Sequence, residues 1–350
     1  MSDSDHPSNG INPTYTARSK GVKNIAYYLD GLQQKNRYIL SECITLLESA
    51  VPEKRNLALQ ILEQLPKPSS TSIRVGITGS PGVGKSTLIG SLGMYVIGQG
   101  KKPAILVIDP SSQINMGSIL GDKTRMQTLA NQQEAYIRPT PSGKILGGTS
   151  EYTREVISLC EAAGYDMIIV ETVGVGQSEI EVDHITDINL LLLQPGAGDD
   201  IQGIKRGVVE NADIFIINKA DGPQEKLAQK TKISYQAAIG LFHHSVPQWK
   251  TPVILSSAIN NQGIDMIYKA IIDYFTILQE TGILEKNRVE QELRWFETQS
   301  VAMIKKIIFE NIHIREMFYS LVQDIQKQKT STSIALNKLA LLLHSKLDDK

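Results

Sequence analysis

Residues Gly79, Ser80, Pro81, Gly82, Val83, Gly84, Lys85, Ser86 and Thr87 fit the spacing GxxxxGK[ST], with the apolar run IRVGIT before them and LIGSL after them. That order predicts a strand, a glycine-rich turn and the first turn of a helix. Glycines let successive backbone N–H groups turn toward one point, and the positive end of the helix dipole adds to them, so the loop suits phosphate oxygens. Lys85 is placed to reach β- and γ-phosphates, and the Ser86 hydroxyl to ligate Mg²⁺.

A second constellation, Asn218-Lys219-Ala220-Asp221, follows an apolar run. The Asp221 carboxylate can accept hydrogen bonds from the N1–H and exocyclic amine of guanine. Adenine presents different groups there, and a wrong base leaves buried polar groups unpaired. Asn218 is expected to brace the loop or touch the base, and the stem of Lys219 to cover the ring. Alone, such a tetrapeptide often forms just a turn; downstream of a phosphate loop it reads a base. Ser256, Ser257 and Ala258, after a further apolar run, offer backbone N–H groups to the guanine O6.

Acids end two other apolar runs. Glu171 closes 167–171, at a strand end expected beside the phosphate loop, where a carboxylate bears on Mg²⁺ directly or through water; Gly174 can donate its N–H to a γ-phosphate. The glycines of the following VGVGQSE suit a segment that moves when that phosphate is lost. Asp109 closes 104–109 and either serves Mg²⁺ or the attacking water, or caps a Pro-Ser-Ser turn. Asp122, in GDKTR, is a candidate for the outer coordination of the metal. Arg138 and Arg154 read as surface or salt-bridge residues, and His243 and His244 as surface histidines with no metal-ligand spacing around them.

These residues need a scaffold. Short apolar runs at 73–78, 104–109, 167–171, 188–194, 214–218 and 253–256 alternate with helical patterns. Near-continuous hydrophobicity suits parallel strands covered on both faces, so the expectation is an α/β fold: a mainly parallel central sheet flanked by helices, with ligands beyond the carboxyl ends of its strands. Ile39, Leu40, Ile44, Leu47, Leu57 and Ile61 outline amphipathic helices ahead of it. Beyond Phe275 the strand signals stop, and Val301, Ile304, Ile308, Phe318, Leu321 and Ile325 form a helical stripe that either packs on the chain's own domain or dimerises. The expected division is a loose tail at 1–24, an N-terminal helical region at 25–72, a nucleotide domain at 73–278 and a C-terminal helical arm at 279–350.

Composition narrows the class. With 350 residues, 36 Lys and Arg against 37 Asp and Glu, the chain carries a net charge of −1, which removes the basic excess of a general nucleic-acid binder. No apolar stretch approaches the ~20 residues of a bilayer span, so no membrane partner is expected. The N-terminus has no secretory pattern, and Cys43 and Cys160 stand far apart without CxxC spacing, which together fit a reducing cytoplasm. Cys160 reads as a buried helix residue.

The ordered segments GITGSPGVGKST, VIDPSS, GSILGDKTRM, GYDMIIVETVGVGQSE, PGAGDDIQGIKRG and INKAD resemble the MeaB/ArgK family of P-loop GTPases, to which the human methylmalonic aciduria type A protein belongs. The resemblance runs from about residue 25 to 280. It implies a GTPase that uses Mg²⁺ with GTP or GDP and acts as a chaperone for an adenosylcobalamin-dependent acyl-CoA mutase of the methylmalonyl-CoA mutase type, gating cofactor loading and reactivation. It also implies a homodimer through the C-terminal helices, and adenosylcobalamin met only through the partner mutase. Residues 79–87 would bind phosphates, Ser86, Asp109, Asp122 and Glu171 would surround Mg²⁺, and Asn218, Lys219 and Asp221 would read guanine. Lys205, in a glycine-flanked loop, would supply transition-state charge when a partner presses on it. Two alternatives stand beside this reading: a kinase or ATPase serving lysine, arginine and ornithine transport, and a metallochaperone GTPase.

Overall fold

The computed structural model describes residues 23–66, 71–109, 126–141, 152–172, 182–196, 209–240 and 246–348. Seven strands form its central sheet: β1 Ile73–Gly79, β2 Pro103–Asp109, β3 Tyr136–Pro141, β4 Met167–Thr172, β5 Ile188–Leu193, β6 Ile214–Ile217 and β7 Val253–Leu255. Their spatial order is β3-β2-β4-β1-β5-β6-β7, and every pairing is parallel. β1 therefore lies between β4 and β5, with Ile77 opposite Glu171 and Gly79 opposite Leu192. The loop after β1 thus opens where the neighbouring strands also end.

Six of these strands match the apolar runs. β3 does not, because its sequence YIRPTP carries two prolines and reads as a turn. It is tolerated at the sheet edge, where β2 is its sole partner and a missing N–H can face away from the ladder.

Alternating side chains fill two faces. Val75, Ile77, Ile105, Val107, Ile169, Leu190, Leu192, Ile214 and Ile216 point to one, where α4 Lys85–Gly98 contributes Leu88, Ile89, Leu92 and Val96. On the opposite face, Leu106, Ile108, Ile168 and Val170 meet the N-terminal helices α1 Ile25–Gln33, α2 Arg37–Leu47 and α3 Pro52–Glu63. Asn24 and Asn36 cap α1 and α2 with their side-chain oxygens, and Pro52 begins α3 with its ready-made φ. The short α5 Gln127–Ala130 and then α6 Thr153–Ala162 follow in the chain, and α6 adds Val156, Ile157, Leu159 and Cys160 to this second core. Beyond β5, α7 Glu225–Ile239 covers a third cluster around Phe215 and Tyr235.

The C-terminal part is helical: α8 Ile264–Glu280, α9 Ile283–Glu310, α10 Ile312–Gln326 and α11 Thr332–Asp348. α8 packs Ile267, Ile271, Tyr274 and Leu278 on the first face of the sheet. α9 has a single buried residue, Leu284, near its start. The predicted stripe divides: Leu321 is buried and Phe309 meets Phe318 edge-on at 5.0 Å, but Val301 and Ile304 are 67% and 52% exposed. Those two side chains do not pack on the chain's own domain. Among the described residues no helix is long and apolar enough to cross a membrane.

Candidate nucleotide site

The loop between β1 and α4 takes its shape from its glycines. Gly79 and Gly84 have φ of 147° and 98°, and a Cβ would come within 2.5 Å of the Leu192 carbonyl oxygen at the first and of Asn218 Nδ2 at the second. Neither position admits a side chain without displacing its neighbour. Gly84 caps α4, so the helix begins at Lys85 with its N-terminal N–H groups at the loop. Lys85 folds across the loop: its Nζ donates to the Gly79 carbonyl at 2.7 Å and to the Ser80 carbonyl at 3.3 Å. The ammonium is held over the cradle in which phosphate oxygens would be the stronger acceptors.

At the next strand end, the Ser86 hydroxyl donates to Glu171 Oε1 at 3.1 Å, and both residues are buried. The parallel pairing of β4 with β1 produces this contact between residues 85 apart in sequence. Two hard oxygens side by side at a phosphate loop fit Mg²⁺, which takes one or two protein ligands and completes its shell with water and substrate phosphate. Among the described residues no group of three or more His, Cys, Asp or Glu side chains stands ready for a metal.

The base loops are wired to the phosphate loop through Asn218. Its Nδ2 donates to the Val83 carbonyl at 2.9 Å, and its Oδ1 accepts from the Ala258 N–H at 3.2 Å. Lys219, with φ of 60°, reaches back so that its Nζ donates to the Gly82 carbonyl at 2.5 Å. Its stem thereby spans the gap between the two loops. Asp221 Oδ2 accepts from Asn260 Nδ2 at 3.4 Å. The loops after β1, β6 and β7 and the Ser86–Glu171 pair therefore stand together at the carboxyl ends of β1, β4, β6 and β7.

The sequence model described as "Methylmalonyl Co-A mutase-associated GTPase MeaB" matches residues 40–313. The chain belongs to the MeaB family. It is accordingly a GTP hydrolase on a P-loop fold. Relatives include the GTPase ArgK of Escherichia coli, 39% identical over 91% of this chain and 96% of its own length. A methylmalonic aciduria type A homolog, described as mitochondrial, from Caenorhabditis elegans is 36% identical over 89% of this chain and 81% of its own. Among solved structures, the crystal structure of a protein named LAO/AO transport system kinase superposes with a TM-score of 0.75 at 33% identity, covering 91% of this chain and 97% of that one.

Of the expected site residues, Asp122, Gly174 and Lys205 fall outside the described ones, as does the side chain of Asp109, whose backbone ends β2; the expected surface pair His243 and His244 lies outside them too. Arg138 and Arg154 are committed to ion pairs, with Glu48 and, at 2.6 Å, Glu292. Of the three N–H groups offered by Ser256, Ser257 and Ala258, two are spent on backbone: Ser256 donates to the Ile217 carbonyl at 2.9 Å and Ser257 to that of Gln262 at 3.1 Å. Two contributors have no sequence signal. Ser91 lies mid-helix and donates to the Ala258 carbonyl at 2.7 Å across 167 residues, and Asn260 touches Asp221 from a loop with no motif.

Proposed function

We propose that this chain couples GTP hydrolysis to the care of an adenosylcobalamin-dependent acyl-CoA mutase of the methylmalonyl-CoA mutase type, gating cofactor loading and restoring damaged enzyme. The observation that carries the nucleotide part is the Asn218 bridge, which ties a guanine-reading loop to a phosphate loop. The mutase part is supported by the family's own description.

In this reading the P-loop N–H groups and the Lys85 ammonium hold the β- and γ-phosphates and stabilise charge as the terminal phosphoryl group leaves. Ser86 and Glu171, with Asp109 and Asp122 around them, would hold Mg²⁺, which would supply positive charge to the phosphates when bound. Asp221 accepts from guanine N1–H and the 2-amino group, the Lys219 stem lies over the ring, and the Ala258 N–H addresses O6. Gly174 reports the γ-phosphate to the segment after β4. Lys205 is assigned the charge that completes the site when the mutase engages, which makes hydrolysis partner-dependent. The chain works as a homodimer joined by its C-terminal helices in the cytoplasm, and meets adenosylcobalamin only through the mutase.

The test is GTP turnover by the purified protein, with ATP as control, with and without a cobalamin-dependent acyl-CoA mutase. GTP-selective turnover that rises with the mutase supports the reading. Turnover indifferent to every such mutase sinks the partner assignment and leaves the GTPase. The similarity to a protein named as a LAO/AO transport system kinase motivates a second reading, phosphoryl transfer to a transport protein. It requires labelled γ-phosphate on a protein acceptor; label found only in inorganic phosphate excludes it.

A further inference from the structure

We infer that Ser91 is a positioning residue for guanine discrimination: from the phosphate-loop helix it fixes Ala258 so that the Ala258 N–H addresses the base O6. This rests on reading 218–221 and 256–258 as the guanine site. With the Ser256 and Ser257 N–H groups spent on backbone carbonyls, Ala258 alone of the three donates to a side chain, Asn218 Oδ1, at 3.2 Å. The Ala258 N–H is thus the one of the three outside backbone pairing, and a carbonyl oxygen in the cleft can share it with Asn218 as a three-centre bond.

What aims this N–H is the conformation of Ala258, and both of its polar ends are gripped. Asn218 holds the N–H, and Ser91 holds the carbonyl at 2.7 Å. A helical serine commonly returns its hydroxyl to the carbonyl four residues back. Ser91 spends it instead on a loop 167 residues away. Beyond Ala258 the chain turns to solvent: Ala258 is 4% exposed and Ile259 is 78% exposed, followed by Asn261 and Gly263 at φ of 54° and 74°. The grip closes a ring that runs from Val83 through Asn218 and Ala258 to Ser91 and back along α4 to the phosphate loop. Base and phosphate subsites are thereby set at a fixed separation.

The test compares affinities for GTP, 6-thio-GTP, ITP and xanthosine triphosphate in the full-length protein and in Ser91→Ala, Ser91→Thr and Asp221→Asn. 6-Thio-GTP replaces O6 with a weak acceptor and keeps N1–H and the 2-amino group; ITP keeps O6 and lacks the 2-amino group. In the parent the sulfur substitution is expected to cost about 5-fold, a cost that falls to about 2-fold or less in Ser91→Ala and returns in Ser91→Thr. The ITP cost stays at its parent value in Ser91→Ala, which a general loosening of the site would not allow. Alanine is a strong helix former, so α4 is kept. Asp221→Asn must shift preference toward xanthosine triphosphate, because it exchanges an acceptor for a donor at the base edge. If it does not, the guanine-site reading falls and this inference with it. If it does, while the sulfur cost is unchanged in Ser91→Ala or the ITP cost falls alongside it, Ser91 alone is overturned.

Discussion

Asn218 is 1% exposed and makes one hydrogen bond from each end of its amide, to a buried carbonyl and a buried N–H in two different loops. Asn218→Ala leaves both groups without that partner, so about 2 kcal/mol of stability should be lost, read from the urea midpoint. GTP affinity should fall by about tenfold or more in titration calorimetry, since the base and phosphate loops lose their tie. Asp183 carries a separate prediction. Burial pushes its carboxyl up to about 7, although Asn211 donates to it at 2.6 Å. Between about pH 4 and that value the folded chain holds a proton that the unfolded chain has released, so this group's contribution to stability falls as pH rises through the window. Asp183→Asn should flatten that part of the profile in urea melts from about pH 5 to about pH 8; an unchanged slope would clear Asp183. The motif residues at this scale were legible because their chemistry demands a type and a spacing. Ser91 and Asn260 were not, because a hydroxyl in a helix and an amide in a loop acquire a role only from what folds against them.

Among the elements, α9 joins the domain through polar contacts. Arg288 makes a bidentate pair with Asp187 at 2.8 and 2.7 Å and donates to the Ser72 carbonyl at 2.8 Å, while Gln291 Nε2 donates to the Thr186 carbonyl at 2.8 Å. Glu292 adds its pair with Arg154. The Asp187 side chain is 1% exposed, so Arg288→Ala takes the guanidinium from a buried carboxylate that keeps the Arg74 N–H at 2.9 Å. A fully buried pair broken this way costs ~3–5 kcal/mol; with Arg288 still 21% exposed, about 2 kcal/mol is the expected loss in chemical denaturation. A loss near zero would mean that water replaces the guanidinium. Six strands were readable as apolar runs because burial on both faces leaves that signature. β3 was not, since an edge strand needs fewer donors and so keeps its prolines.

At the scale of the whole molecule, the C-terminal helices carry apolar side chains away from the sheet. Phe296, Val301 and Ile304 are 70%, 67% and 52% exposed on α9. A second copy covering this face is the proposed remedy. The double substitution Val301→Glu with Ile304→Glu should convert a dimer to a monomer in light scattering while intrinsic GTP hydrolysis persists, because neither residue belongs to the nucleotide site. A parent protein that is already monomeric at micromolar concentration would refute the proposed dimer.

The sequence by itself determined the fold class, the glycine-rich loop after β1, the acid at the end of β4 and the polar tetrapeptide 218–221 at the end of β6, because each follows from local pattern: period, turn chemistry and side-chain type. Tertiary structure decided which groups meet. Parallel pairing of β4 with β1 brought Glu171 to Ser86, and the amide of Asn218 joined Val83 to Ala258. It also decided which N–H of 256–258 stays out of backbone pairing, and which half of the C-terminal stripe is left to solvent. These outcomes depend on contacts between residues far apart in the chain, and no local pattern encodes such a partner.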